Sequence, residues 1–224
     1  MILLLLALAC DTGKVSVGSG DLALSFDGAG CAEIPIDDRA NGPNMTVEFR
    51  LRGSSTHSQG VMPLMFWPGV LVAAELDDGT AWFGAPDIVY GTPYTGALFD
   101  DQAHHIAATW TSEGRINLYV DGQNRGFAQA TREIAGTTLY LGCWQERDAW
   151  LEGAMDEVRL STVIRYNDSF TPAEEPFEVD EYTAALWHMD EGEGEAILDA
   201  SRHFDGAVYG VEWVDTAEWN TGEP

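Results

Sequence analysis

Residues 103–122, AHHIAATWTSEGRINLYVDG, form the stretch that decides the fold of this chain. Apolar side chains recur at every second position in two runs, Ile106–Trp110 and Ile116–Val120. This period-two pattern predicts two half-buried strands. Residues 112–114 supply a turn between them, and Asp121-Gly122 begins a second turn into RGFAQA. The stretch therefore predicts a three-stranded antiparallel meander.

The same alternation recurs along the chain, most cleanly in MTVEFRLR at residues 45–52. Twenty-four glycines and many Asp-Gly and Glu-Gly pairs fit short strands joined by tight turns. We find no long stretch of helical periodicity, so the fold class is predicted to be all-β. A chain of 224 residues is long enough to bury one substantial core.

Several of the predicted strands contain short sequences that resemble motifs of a known family. LSFDG at 24–28, LYVDG at 118–122 and DEVRL at 156–160 resemble motifs of the laminin-G-like, concanavalin A-like lectin/glucanase superfamily. The resemblance covers roughly residues 21–172. It implies a two-sheet antiparallel β-sandwich of the jelly-roll type, but by itself it implies no activity.

Two further segments follow the region of resemblance. Residues 173–182 are acidic and poor in strand signals, which predicts a linker. Residues 183–224 resemble an opening segment of the same domain. They either close the sandwich beside residues 21–26 or begin a second, truncated domain. We favour closure, because an isolated hairpin is only marginally stable.

The chain begins with MILLLLALAC, an apolar run too short to span a bilayer. It is typical of a secretion signal. Residues 7–10, ending in Cys10, resemble a bacterial lipobox, which predicts lipid attachment at Cys10, a flexible tether over 11–20, and export to the cell envelope or surface. Ordinary signal-peptide cleavage and secretion is the alternative. The two other cysteines, Cys31 and Cys143, are predicted to form a disulfide in an exported chain, with buried free thiols as the alternative.

The net charge is −26, from 37 acidic and 11 basic residues. Such a chain repels phosphate backbones, so nucleic acid is not an expected partner. It attracts cations, and some members of the superfamily bind calcium at the rim of the sandwich. Calcium is therefore the candidate cofactor, with carboxylates in acidic turns and strands as its candidate ligands: Asp27, Asp156, Asp199 and Asp205. The alternative is that these aspartates accept backbone N–H bonds in turns.

Catalysis is not predicted. Glycoside hydrolysis needs two carboxylates facing the scissile bond. Glucanases of the superfamily carry them as E-x-D-x-x-E or E-x-D-x-E on one strand, and this sequence contains neither form. The nearest pattern runs from Glu146 to Glu152, whose side chains would stand about 20 Å apart on a strand. The histidines show no zinc-ligand spacing.

Sugar binding needs accessible aromatic rings with polar groups nearby. Trp144 and Trp150 flank the polar loop QERDA, and a second group lies near the irregular residues 85–102: Trp67, Trp82, Tyr90 and Tyr94. Rim packing is the alternative role for each ring. We therefore predict a non-catalytic binding module of the cell surface that recognises a polysaccharide or glycoprotein. The alternatives are a protein-binding scaffold module without sugar binding and, third, a divergent glycan hydrolase.

Overall fold

The computed structural model describes residues 21–57, 60–75, 80–84, 91–93, 98–129 and 134–217, with the backbone alone described at 75, 80–84 and 91–93. The predicted signal segment, Cys10 and the tether lie outside these residues. Tyr90, Tyr94 and the Trp82 side chain lie outside them too. Across the described chain, no helix has the length and hydropathy needed to cross a membrane.

Within these ranges the chain forms sixteen β-strands and two short 3-10 helices. The strands are β1 (Leu22–Pro35), β2 (Met45–Gly53), β3 (Val61–Trp67), β4 (Val70–Glu75), β5 (Thr80–Gly84), β6 (Gly91–Pro93), β7 (Ala103–Trp110), β8 (Arg115–Val120), β9 (Gln123–Gln129), β10 (Thr138–Leu141), β11 (Cys143–Trp144), β12 (Ala149–Trp150), β13 (Glu152–Ser161), β14 (Thr183–Trp187), β15 (Ala196–Ile197) and β16 (Gly206–Asp215). The 3-10 helices span Asp38–Ala40 and Gln145–Arg147.

The strands pair antiparallel in the order β6-β5-β4-β3-β10-β1-β13-β2-β7-β8-β9. This long sheet curls so that its two halves face each other across one hydrophobic core, which confirms the predicted β-sandwich. β7, β8 and β9 form the predicted meander, with Trp110 opposite Ile116. Alternation builds this core, because every second side chain of a half-buried strand points inward.

β1 connects the two halves of the sandwich. Residues 24–27 pair with β13, and residues 32–35 pair with β10. Between them the pairing with β16 shifts register. Gly28 has a φ of 90°, and a Cβ on Gly30 would lie 2.1 Å from the Gly210 carbonyl oxygen. The Asp27-Gly28 pair, a dipeptide that often forms a turn, therefore does not end β1: the chain bends there inside one strand, and glycine allows the bend.

The C-terminal strands belong to the same sheet. β14 pairs with β13, so that Trp187 lies opposite Val158. β16 pairs with β1 over most of its length, and Trp213 lies opposite Leu24. The Trp187 side chain is fully buried in the common core.

Residues 162–182, which we call the strap, cross the outer face of β2, β7 and β13. The Phe170 N–H donates to the Gly122 carbonyl at 2.7 Å, and the buried Phe177 ring packs beside His105 and Arg159. The strap includes the predicted linker at 173–182. That segment contains no strand, and it packs on the sheet, where the carbonyls of residues 174 and 175 accept hydrogen bonds from Arg50.

β13 carries a bulge at the acidic motif DEV. Its pairing with β2 shifts between Asp156 and Arg159, and Glu157 has a φ of 52°. Simple alternation predicts that Asp156 and Glu157 point to opposite faces. The bulge changes the phase, so that Met155 and Val158 both enter the core.

Candidate functional site

An aromatic surface lies on the outer face of β3, β10, β1 and β16. Strand register sets it: Phe66 lies opposite Tyr140, and Tyr140 lies opposite Glu33. One strand further, Cys31 lies opposite Tyr209. Cross-strand neighbours on one face touch, so these side chains form one continuous strip.

A small hairpin covers part of this strip. Cys143 and Trp144 of β11 pair with Ala149 and Trp150 of β12, outside the main sheet. A disulfide joins Cys143 to Cys31 on β1, with their Cα atoms 5.3 Å apart, as the cysteine count predicts. The covalent bond holds the hairpin against the sheet beside Tyr209.

Trp144 forms the centre of the contact between hairpin and sheet. Its indole stacks on Phe66 with ring centroids 5.2 Å apart, and Phe66 stacks in turn on Tyr140 at 6.0 Å. The Arg147 guanidinium lies 5.2 Å from the Trp144 ring centroid. The Trp144 indole N–H is buried and has no hydrogen-bond partner among the described residues.

Polar groups border the rings. Glu33 Oε1 accepts hydrogen bonds from the Tyr209 hydroxyl at 2.9 Å and from Gln145 Nε2 at 3.0 Å. Gln145 also bonds the Tyr209 hydroxyl. Burial, followed by the nearby Glu33 carboxylate, raises the pKa of Tyr209 to about 12, so its hydroxyl stays protonated at neutral pH. We call this group the aromatic patch: Phe66, Tyr140, Trp144, Tyr209, Glu33 and Gln145.

The predicted aromatic candidates separate into different environments. Trp144 belongs to the aromatic patch, although only 8% of its surface is exposed. Trp150 is half-buried and donates to Asp148 at 3.1 Å. It points to the opposite side of the hairpin from Trp144, because neighbouring cross-strand pairs alternate. Trp67 is 1% exposed and donates to the Gly136 carbonyl at 2.8 Å, so the suggestion that it offers a sugar-binding face is wrong.

The four candidate calcium ligands do not converge. Asp199 is buried, and its two oxygens accept bonds from the backbone N–H groups of Leu186, Ser201, His203 and Phe204 and from the Ser201 hydroxyl. Asp205 Oδ1 accepts a hydrogen bond from the Asp199 N–H, and Asp27 Oδ1 accepts one from the Ala29 N–H. Among the described residues, no three His, Cys, Asp or Glu side chains are grouped so as to hold a metal. These residues do not fit a calcium site.

Asp156 lines a separate cavity of about 400 Å³ beneath the strap, with Asp21, Arg50, His104, Asp121 and Glu174 among its other lining residues. Asp156 Oδ2 is buried and has no hydrogen-bond partner in the described part of the chain, and Arg50 Nη1 lies 3.8 Å away. Burial, with the negative charges of Glu157 and Asp21, raises the pKa of Asp156 to about 8. The positive charge next to Asp156 in this cavity is thus the guanidinium of Arg50, a residue of the chain itself.

Glu48 is a buried carboxylate that the sequence did not single out. Its oxygens accept from Arg159 at 2.8 and 2.9 Å and from the Tyr166 hydroxyl at 2.6 Å, and His105 Nε2 lies at 3.2 Å. Burial would raise the pKa of Glu48, but the His105 and Tyr166 bonds and the Arg159 charge outweigh it and lower that pKa. A general acid needs the opposite shift, and the strap covers this group. We therefore assign it a structural role.

Sequence reasoning missed four residues of the aromatic patch: Glu33, Phe66, Tyr140 and Tyr209. Local alternation could have placed Tyr140 outside, since Leu139 and Leu141 on either side of it are core residues. Nothing local shows that β10 lies between β3 and β1, because that pairing joins segments far apart in sequence.

Solved structures show the same fold. A candidate carbohydrate-binding protein from Bacteroides ovatus superposes with a TM-score of 0.70 at 17% identity, covering 88% of this chain and 60% of that one. A heptameric SAP-like pentraxin from Limulus polyphemus gives 0.52 at 13% identity, covering 84% and 95%. The chain thus spans about three-fifths of the Bacteroides protein. These identities establish the fold alone.

A search of curated protein sequences finds no match. A family profile does match, over residues 44–174, which is more than half of the chain, and it is described as the concanavalin A-like lectin/glucanases superfamily. The match includes the central meander and the DEVRL strand that resembled this family in sequence. Fold and profile agree, and the chain belongs to the concanavalin A-like lectin/glucanase superfamily.

Proposed function

We propose that the protein is a non-catalytic carbohydrate-binding module that holds its ligand on the aromatic patch. The proposal rests on the arrangement of side chains in this patch. Tyr140 and Tyr209 present partly exposed rings beside hydrogen-bonding groups on a rigid sheet. Aromatic faces contact the apolar C–H surface of a sugar while polar neighbours fix its hydroxyls. The likeness to a candidate carbohydrate-binding protein from Bacteroides ovatus supports the same ligand class.

We also propose that the module works outside the cytoplasm, attached by lipid at Cys10. The lipobox-like start of the sequence supports this, and so does the Cys31–Cys143 disulfide, because disulfides persist in oxidising compartments. The absence of a glucanase carboxylate motif from the sequence supports a binding role rather than hydrolysis.

The test is a panel of polysaccharides assayed with the purified protein, in calcium and again in chelator. We expect retention of at least one polysaccharide in both conditions. Tyr209→Ala should weaken it about tenfold, since central aromatic contacts dominate binding energy. Tyr182→Ala is the matched control, because Tyr182 is similarly exposed (45% against 39%) but lies in the strap. Equal effects of the two substitutions would contradict the proposed site, and release of sugar from the polysaccharide would contradict the non-catalytic role.

A protein partner is the second candidate. Phe127 on β9, at the end of the strand order, is 62% exposed beneath the Arg115 guanidinium. An exposed aromatic residue on a terminal strand is a feature of protein-binding surfaces. This candidate takes precedence if a folded sample binds no polysaccharide in the panel.

A further inference from the structure

Glu33 places a carboxylate in the aromatic patch. The strands on its two sides bring Tyr140 and Ala207 opposite it. Oε1 already accepts from Tyr209 and Gln145, and no described residue bonds Oε2. Glu33 is half-buried rather than fully solvated. One carboxylate oxygen is therefore available to a ligand seated on the rings.

The chemistry of that oxygen restricts the ligand. An ionised carboxylate accepts hydrogen bonds and cannot donate them. A ligand must therefore supply an O–H or N–H, as the hydroxyl and acetamido groups of a neutral sugar do. The sulfate of a sulfated glycan or the carboxylate of a uronic acid offers only acceptors and adds repulsion. A hydrogen bond to an ionised carboxylate is charge-assisted and roughly twice as strong as a neutral one. A ligand that places a donor at Oε2 is therefore strongly favoured over one that places an anionic group there.

The charges around Glu33 also disfavour an anionic ligand. The hairpin loop adds Glu146 and Asp148, against one cation, Arg147, which lies over Trp144. The patch and its loop thus carry three carboxylates and one guanidinium. The net charge of −26 adds a long-range field that repels polyanions.

We infer that the aromatic patch selects uncharged glycans and rejects anionic ones, with Glu33 Oε2 as the acceptor that determines this specificity. The inference rests on the proposed function, since it concerns the same site. The expected ligand is a neutral polysaccharide rich in hydroxyl or acetamido donors, and Glu33 contacts it directly.

The test uses pairs of polysaccharides that share a backbone: hydroxyethyl cellulose with carboxymethyl cellulose, and dextran with dextran sulfate. Mannan and chitin oligomers extend the neutral panel. We expect at least tenfold tighter binding of a neutral chain than of any anionic one, or about 1.4 kcal/mol. The affinity for the neutral chain should change little between about 50 and about 500 mM NaCl, because no ion pair with the ligand is involved.

The substitution that isolates Glu33 is Glu33→Gln, which keeps its size and removes its charge. We expect it to weaken neutral binding about tenfold. The control is Glu113→Gln, the same charge change in the distant turn between β7 and β8, which should leave affinity unchanged. Both variants should melt as the wild-type protein does.

Three results would overturn the inference, and they are distinguishable. Tighter binding of an anionic chain contradicts the selectivity but leaves carbohydrate binding intact. Equal effects of the two glutamine substitutions contradict the assignment to Glu33. Binding of no polysaccharide by a folded sample contradicts the proposed function and, with it, this inference.

Discussion

At the scale of single residues, Asp156 is the clearest source of pH dependence. Its folded-state pKa is raised to about 8 by burial and by its acidic neighbours, from an ordinary value of 3.8. The folded protein therefore binds a proton at Asp156 that the unfolded chain releases between these two pH values. Stability due to this group is present below pH 3.8 and is lost as the pH rises through 8, by at most about 1.4 kcal/mol per pH unit.

We predict that Asp156→Asn reduces the loss of stability that accompanies rising pH. Asparagine keeps an oxygen that accepts from the Glu157 N–H and cannot ionise. Between pH 5 and 8, the free energy of unfolding of the variant should fall less steeply than that of the wild type, as measured by urea denaturation. Asp38→Asn, at an exposed position, is the control and should follow the wild type. Parallel slopes for Asp156→Asn and the wild type would contradict the buried, protonated carboxyl group.

Glu48 gives a second prediction at this scale. Glu48→Gln keeps the shape but leaves the largely buried Arg159 guanidinium without its counter-charge. Removing one partner of a buried ion pair costs about 3 kcal/mol or more. Thermal denaturation should show a large drop in midpoint for Glu48→Gln and none for Asp37→Asn, which affects the exposed Asp37–Arg39 pair. An unchanged midpoint for Glu48→Gln would mean that the network under the strap contributes little.

At the scale of elements, the sequence predicts strands well where local alternation decides them. β2, β7 and β8 form where Val47, Ile106 and Ile116 begin an inward-facing series. β1 and β13 depart from simple alternation, because a bend at Gly28–Gly30 and a bulge at Glu157 change the phase. The bend involves the close approach of Gly30 to Gly210. At the bulge, the Glu157 carboxylate accepts from the Phe177 N–H and contacts His188. The local sequence contains none of these partners.

The hairpin of β11 and β12 should depend on its disulfide. The bond links residues 112 apart in sequence, and closing a loop of that length stabilises the fold by about 5 kcal/mol in the chain-entropy description. Reduction, or paired Cys31→Ala and Cys143→Ala substitutions, should lower the melting midpoint. Either treatment should also weaken glycan binding at temperatures where the protein stays folded, because the disulfide fixes Trp144 and Gln145 over the sheet. Unchanged affinity in the reduced, folded protein would show that packing alone holds the aromatic patch.

At the scale of the whole molecule, the site is harder to predict than the fold. Trp144 was predictable as a candidate because it flanks a polar loop. Its partners come from β1, β3, β10 and β16, and only the pairing of distant strands brings Glu33, Tyr140 and Tyr209 together. The same long-range packing buries Trp67, which local sequence suggested as a ring at the surface.

Charge also acts on the whole molecule. A net charge of −26 makes the compact state repel itself, and salt screens this repulsion over about 10 Å at 0.1 M. We predict that the melting midpoint rises as NaCl is raised from about 10 to about 500 mM at pH 7. A midpoint that falls with salt would indicate that surface ion pairs outweigh the repulsion.

The most direct measurement of the central claim is amide hydrogen exchange of the purified protein, with and without a neutral polysaccharide that it retains. Binding on the aromatic patch predicts slower exchange at residues 31–33, 138–150 and 207–210, with little change in the strap or in β7 and β8. Slower exchange confined to the cavity around Asp21, His104 and Glu174 would contradict the assignment and move the binding site to that cavity.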